Sequence, residues 1–380
     1  MAATAQSVQA ANDAFLLSAS ERNYPMPSVP VTAVGDTIDI ELEQVPGWAY
    51  AIDLNVFLDL LVTLGSTGTA PSISQCAPWN IFRSVEISLG GGPFQRVSPY
   101  FYYLRERFMH PGWDPTASGT YSVPAIAAAA GAGTDNYWRW KIRIPLQVQH
   151  GAIYGHLPLA NSSVKCKLRL YLQNSFYGSD QYQNPLYGGS EVTAAIGTTQ
   201  ASYIKPTILY RTNPPVATNP LPNPTIGRIL NVQEKATQFV GAGTMTPIKF
   251  PDPFVYLRIY HVVQDGSGAF AAGGFGSSGE VDQFEFDLTP GLPQFYFPDA
   301  RSLGEYQYQM ARLYRMDLPP GVFVFDFWSG NNPENPNGTQ TVDATLFQTM
   351  QTQVGVTSTT NVASPAKITT YAEAMSPVGF

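Results

Sequence analysis

The sequence predicts an all-β chain of two β-sandwiches in tandem. Three observations carry this reading. Short runs in both halves alternate apolar and polar residues, the period of a strand with one buried face. Gly (33) and Pro (32) are abundant and aromatics make up 13% of the 380 residues, which suits turns and strands rather than long helices. A proline cluster at residues 211–225 (RTNPPVATNPLPNPT) interrupts any helix or ladder. It leaves about 210 residues before it and about 155 after it, each the size of one sandwich.

The elements follow in order. Residues 37–43 (TIDIELE) put Ile38, Ile40 and Leu42 on one face and Asp39, Glu41 and Glu43 on the other. Ser98 is a good N-cap, Pro99 suits the first helical position, and Phe101, Leu104 and Phe108 make an apolar stripe that Pro111-Gly112 ends. Residues 137–144 set Trp138, Trp140, Ile142 and Ile144 against Arg139, Lys141 and Arg143. Residues 164–172 set Val164, Cys166, Leu168, Leu170 and Leu172 against Lys165, Lys167 and Arg169. The segment 203–210 is a weaker strand candidate.

After the proline cluster, 255–263 (VYLRIYHVV), 281–288 (VDQFEFDL) and 321–328 (GVFVFDFW) read as strands, and 366–371 as a weaker one. A second helix is expected from Ser302-Leu-Gly-Glu305, which has the capping-box form. Leu303, Tyr306, Met310 and Leu313 line one face of it. Strands, one capped helix and strands again thus occur twice. The expected organisation is an N-terminal arm at 1–30, a first sandwich at 31–212, a linker at 213–225 and a second sandwich at 226–380.

Composition narrows the function. Charged residues are 13% and the net charge is −7 (21 basic, 28 acidic), so direct sequence-specific nucleic-acid binding is disfavoured. Charge is depleted in interface cores, so low charge suits a chain buried against copies of itself. Residues 51–64 are too short and, with Asp53, Asn55 and Asp59, too polar to span a membrane. No basic region and apolar core of a secretory signal opens the chain. Cys76 and Cys166 make no disulfide framework, and Cys166 reads as a buried apolar residue. The patterns at Asn161 and Asn337 match glycosylation acceptors, which have no context without an export signal.

No catalytic, cofactor-binding or metal-binding residue is assigned. Of the histidines His110, His150, His156 and His261, His150 and His156 match no common metal spacing and read as loop or core-edge residues, and His110, directly before the helix-stopping Pro111, reads as a terminal cap. Gly90-Gly91-Gly92 and 266–279 lack the context of a phosphate loop and read as turns. Glu285 and Asp287 share a strand face. They are paired acids that could serve a glycosidase but fit a solvated or interface face better. Glu280 and Asp282 are the candidate loop for a structural Ca²⁺. The basic faces of Arg139, Lys141 and Arg143, and of Lys165, Lys167 and Arg169, lack interleaved aromatics. They are expected to pair with acidic faces such as Asp39, Glu41 and Glu43, or with a neighbouring subunit. Loops 114–136 and 264–280, rich in small residues, are expected to be exposed.

Several segments in order resemble the major capsid proteins of tectivirus-type bacteriophages, tailless double-stranded DNA viruses with an internal membrane. They are 79–113 (strand, turn, helix), 143–172 (strand ending in Ile-Pro-Leu, loop with Leu-Ala-Asn, strand), 256–275 and 299–328. The resemblance implies a double jelly roll of two eight-stranded antiparallel sandwiches, each with one short helix. It also implies a structural, non-enzymatic role in a homotrimer with a pseudo-hexagonal outline, in the capsid shell of an icosahedral virion made in the host cytoplasm. Expected partners are copies of itself and, through residues 1–20, minor capsid proteins and the internal membrane. Val8, Ala11 and Phe15 give that segment an apolar stripe. The competing readings are a two-sandwich carbohydrate-binding or glycoside-acting protein, and a receptor-binding spike, for which no shaft repeat is visible.

Overall fold

The computed structural model describes residues 14–89, 95–109, 116, 119–148, 155–161, 165–212, 228–238, 245–250, 254–270, 283–289, 292–314, 319–327, 342–343, 350–355 and 367–377. Eight main strands come first: β1 (Ser20–Pro25), β2 (Thr37–Glu41), β3 (Trp48–Thr69), β4 (Phe82–Leu89), β5 (Gln95–Val97), β6 (Gly133–Pro145), β7 (Cys166–Leu172) and β8 (Tyr203–Thr212). Eight more follow: β9 (Arg228–Gln238), β10 (Thr246–Phe250), β11 (Val255–Gln264), β12 (Gln283–Thr289), β13 (Leu292–Phe297), β14 (Val322–Asp326), β15 (Met350–Gly355) and β16 (Lys367–Pro377). Helix α1 (Pro99–Met109) lies between β5 and β6, and α2 (Ala300–Tyr314) between β13 and β14. Shorter two- to seven-residue strands flank these.

All main pairings are antiparallel. The first eight strands form sheets ordered β1-β8-β3-β6 and β2-β7-β4-β5. The second eight form β9-β16-β11-β14 and β10-β15-β12-β13. Counted within each half, both give the order 1-8-3-6 facing 2-7-4-5, with the helix after the fifth strand. The halves are two copies of one topology.

Alternation builds the first core. On β3 the side chains of Ile52, Leu54, Val56, Leu58, Leu60, Val62 and Leu64 are all buried. They meet Trp138, Trp140, Ile142 and Ile144 of β6 and Leu168, Leu170 and Leu172 of β7, also buried. Each such side chain contributes roughly 1.5–3 kcal/mol by leaving water. Residues 51–64, read from sequence only as too polar to span a membrane, are the middle of this 22-residue strand. Asp53, Asn55 and Asp59 take the opposite face. The second core packs Phe284 and Phe286 of β12 against Phe325 and Phe327, with the Phe284 and Phe325 rings stacked at 3.5 Å.

Three expectations need correction. Residues 20–30 are not an arm: β1 pairs with β8 over its whole length, and Val29–Pro30 pairs with the start of β8. Phe15 is also fixed, fully buried with its ring 5.0 Å from Trp48. Val8 and Ala11 lie outside the described residues. Helix α2 begins before Ser302. Asp299 caps it, its carboxylate accepting the Ser302 N–H at 2.8 Å and its carbonyl the Leu303 N–H at 3.2 Å. Finally, His156 is fully buried in the core rather than at its edge, 0% exposed, and His261 within β11 is 1% exposed. His261 Nδ1 meets Thr370 Oγ1 at 2.8 Å, and burial pushes its pKa down to about 3, so the ring is neutral.

Other expectations fare variously. Cys76 and Cys166 are buried free thiols, and burial pushes Cys166 up to about 12. Residues 119–135 are mostly exposed, although Tyr121, Val123 and Ile126 pack in part on the core. His110, His150, Gly90-Gly91-Gly92, Asn337, Glu280, Asp282 and the segment 213–225 lie outside the described residues. No described helix is long and apolar enough to cross a membrane.

Candidate functional site at the junction of the two sandwiches

The most heavily built polar region joins the halves. The α1 residues Phe101, Arg105 and Phe108 recur at helical spacing and face β11 and β16 of the second half. Phe101 lies 5.6 Å from the Tyr260 ring and 5.3 Å from the Tyr371 ring, and Phe108 lies 5.9 Å from Tyr260. Arg105 Nε meets Glu373 Oε1 at 2.9 Å, and its Nη2 donates to the Val148 carbonyl at 2.6 Å. The other Glu373 oxygen takes Arg258 Nη1 at 3.4 Å and the Tyr260 hydroxyl at 3.4 Å. Arg258 Nε reaches Asp326 Oδ2 at 3.3 Å. Two guanidinium groups and two carboxylates thus share a dry site, with Glu373 0% and Arg105 and Arg258 3% exposed. Each ion pair is desolvated, so its geometry must be good to be tolerated.

A second cluster sits at the start of α1. Glu234 of β9 accepts the Ser98 N–H at 2.7 Å and the Tyr182 hydroxyl at 3.4 Å. A carboxylate from the second half therefore sits at a helix N-terminus of the first, where backbone N–H groups are unsatisfied. Burial pushes Glu234 up to about 7, against the pull of the Ser98 N–H and of Arg96. The Tyr182 and Tyr371 hydroxyls bond each other across the junction. Burial raises both far above the usual phenol range, so they stay protonated.

A third contact is a loop knot. Asp180 accepts Gln264 Nε2 at 2.9 Å and Lys367 Nζ at 2.9 Å, both from the second half. Burial alone would raise its carboxyl, but these donors hold it below its ordinary value. The Gln181 N–H donates to the Gly268 carbonyl at 3.0 Å. Gly268 has φ of +85°, and a Cβ there would lie 2.8 Å from Asp180 Cα. Only glycine allows both the turn and the approach. Apolar contact completes the seam: Leu230 and Val232 of β9 pack beside Val97, Tyr102 and Ile144, leaving a void of about 20 Å³.

The residues singled out from sequence are mostly elsewhere. Lys167 meets Glu41 at 3.9 Å and Arg169 meets Asp39 at 2.6 Å, as expected for that basic face. The other basic face does not use Asp39, Glu41 or Glu43. Arg143 and Lys141 take Asp53 of β3 at 2.7 and 3.6 Å, because β6 pairs with β3. Glu285 and Asp287 differ in setting: Asp287 is buried and accepts Gln351 Nε2 and Gln353 Nε2 at 2.8 and 2.9 Å. Burial and then Asp287 push Glu285 up to about 7. Sequence reasoning missed Arg105, Glu234, Arg258 and Glu373. The available signal was a charge set inside an apolar pattern, as in Leu104-Arg105 and Ala372-Glu373-Ala374.

No protein-family model matches the sequence, and no curated protein matches it. Solved structures do. The crystal structure of the STIV MCP is 14% identical with a TM-score of 0.61, over 93% of this chain and 96% of that one. The PBCV-1 virus capsid is 12% identical with a TM-score of 0.62, over 94% and 93%. The chain is a double jelly roll. An atomic structure of Sulfolobus Turreted Icosahedral Virus also matches, at 14% identity and a TM-score of 0.60, over 93% of this chain and 90% of that one. The match covers both halves of this double jelly roll. Nothing in these likenesses supports a carbohydrate-binding or glycoside-acting protein. Among the described residues, the large exposed aromatics Tyr137, Tyr296 and Tyr308 are divided between the two sandwiches.

Proposed function

We propose that this double jelly roll is a structural, non-enzymatic major capsid protein that assembles with itself into the shell of an icosahedral virion. The observation that carries the reading is one eight-strand topology built twice in one chain, with the copies joined through the buried Arg105–Glu373 pair and the Glu234 contact to the start of α1. Such a chain offers two similar units in fixed relation, and three chains offer six, the pseudo-hexagonal outline of a homotrimeric capsomer. The fold likeness to the STIV MCP and the PBCV-1 virus capsid supports it. An internal membrane, minor capsid proteins, a phage host and synthesis in the host cytoplasm rest on the resemblance in order and spacing of the sequence segments. Phe15 is packed on Trp48, whereas Leu17 beside it, 89% exposed, is left to reach a membrane or a minor protein. Light scattering on the purified chain tests the assembly: a mass of three times 41.4 kDa is expected. A mass equal to one chain at micromolar concentration sinks the reading.

A further inference from the structure

Helices α1 and α2 follow the fifth strand of their halves, yet they are covered differently. From Pro99 to Phe108 every α1 residue except Arg107 is buried. One side packs on its own half, where Tyr103 stacks on Trp79 at 3.9 Å. The stripe of Phe101, Arg105 and Phe108 covers β11 and β16 of the second half. Helix α2 has the first kind of support. Leu303 is buried in its own core, and Tyr306 stacks on Phe325 at 5.6 Å. The Gln307 side chain takes the Val324 N–H at 2.9 Å and donates to the Val324 carbonyl at 3.1 Å. The other side is open: Arg301, Glu305, Tyr308 and Arg312 are exposed and recur at helical spacing, as the α1 stripe does.

The sheets show the converse. Strand β11 is buried throughout, with α1 on its outer face. Its counterpart in the first half is β3, the third strand, and there the outer face is open. Tyr203, Phe57 and Arg139 form one row across β8, β3 and β6, and Lys205, Asn55 and Lys141 form another. All six are at least partly exposed, and the Phe57 and Tyr203 rings stack at 4.6 Å. Among the described residues, the chain thus holds one helix stripe that covers no sheet and one sheet face that no helix covers. We infer that α2 of one copy docks through its Tyr308 stripe on the β8-β3-β6 face of the next copy, as α1 docks on β11 and β16 within the chain. The inference rests on the capsid reading and names the two surfaces that join the copies. The contact is head-to-tail: each chain gives a helix to one neighbour and a sheet to the other, and a ring of three chains closes it. Glu305 on the stripe suits a face bearing Arg139, Lys141 and Lys205.

Two substitutions at exposed positions test the two surfaces in the full chain. Tyr308→Asp alters the helix stripe and Arg139→Glu the sheet face. Each is expected to keep the circular dichroism spectrum of the wild type and to need roughly thirty times more protein to assemble, the scale of losing one interface hot spot. A second arm uses the unaltered chain. Tyr308 and Tyr296 are almost equally exposed in the single chain, 59% and 56%. Iodination of the assembled protein, read by mass spectrometry, is expected to spare Tyr308 relative to Tyr296. That arm decides the matter if a variant fails to fold. Wild-type assembly of either variant, or Tyr308 labelled as fully as Tyr296 in the assembled protein, overturns the inference alone. A wild type that never leaves the monomer overturns the capsid reading and the inference with it.

Discussion

Strands β7 and β11 show two ways of burying a strand. On β7, Cys166, Leu168, Leu170 and Leu172 are buried while Lys167 is exposed and Arg169 and Tyr171 are half-exposed. On β11 every residue from Val255 to Gln264 is buried. The first strand has one covered face. The second has two: Ile259 and Val263 enter its own sandwich, while Leu257, Tyr260 and Val262 join the core of the first half. Charge follows the same division. The Arg169–Asp39 pair is open to water, whereas Arg258 and Glu373 are enclosed. A strand covered on both sides must pair its ions inside the protein, and at the junction Glu373 also takes Arg105 of the first half, which joins the two jelly rolls.

Substitutions at the two kinds of strand separate these roles. The largest effect is expected at the enclosed pair. Arg105→Ala leaves the Val148 carbonyl and part of Glu373 without a donor, for a loss of about 3–5 kcal/mol in denaturant unfolding. Arg169→Ala, on the open face, is expected to leave the same midpoint nearly unchanged. Equal losses at the two sites would erase the distinction.

Gly268→Ala comes next. Its positive φ and the approach to Asp180 Cα together make a loss of roughly 1–3 kcal/mol, with faster proteolysis in the loop at 179–183.

Glu234 sharpens the comparison through pH. Its carboxyl stands at about 7 in the folded chain against an ordinary 4.5. The folded state therefore holds the proton more tightly. The stability from this group is fully present below pH 4.5, declines as pH rises toward 7, and is gone above it, with a slope of at most about 1.4 kcal/mol per pH unit. Glu285, also near 7, adds a slope of the same sign. The readout is accordingly the difference between wild type and Glu234→Gln: the variant is expected to be the more stable at pH 8 and to lose part of the slope between pH 4.5 and 7. Identical slopes would contradict the assignment. A small loss is expected from Asp299→Ala, which removes one N-cap from α2 and lowers the melting temperature without changing assembly.

The sequence disclosed the one-faced strands best. Alternation in 37–43, 137–144 and 164–172 matched β2, β6 and β7, because one face is water and the other is core. It was present in β3 too, where Ile52 to Leu64 alternate. There Asp53 and Asp59 are themselves buried, so polarity did not mark a wet face. The run 255–263 read as a strand, yet nothing in it said what covered its second face. The junction pairs were not legible, since Arg105 and Glu373 are 268 positions apart and meet only when both sandwiches are folded. The helix start at Asp299 was missed because Ser302-x-x-Glu305 has the form of a cap. Asp299, three residues earlier, caps the helix instead, accepting the Ser302 and Leu303 N–H groups.

The most direct test of the joined double jelly roll is to insert a specific protease site between Ala217 and Thr218, cut the purified protein, and measure its mass and melting under native conditions. If the junction holds the halves, the cut chain keeps the mass of the uncut assembly, and both halves melt in one transition. Two fragments that separate on a sizing column and melt independently would contradict it.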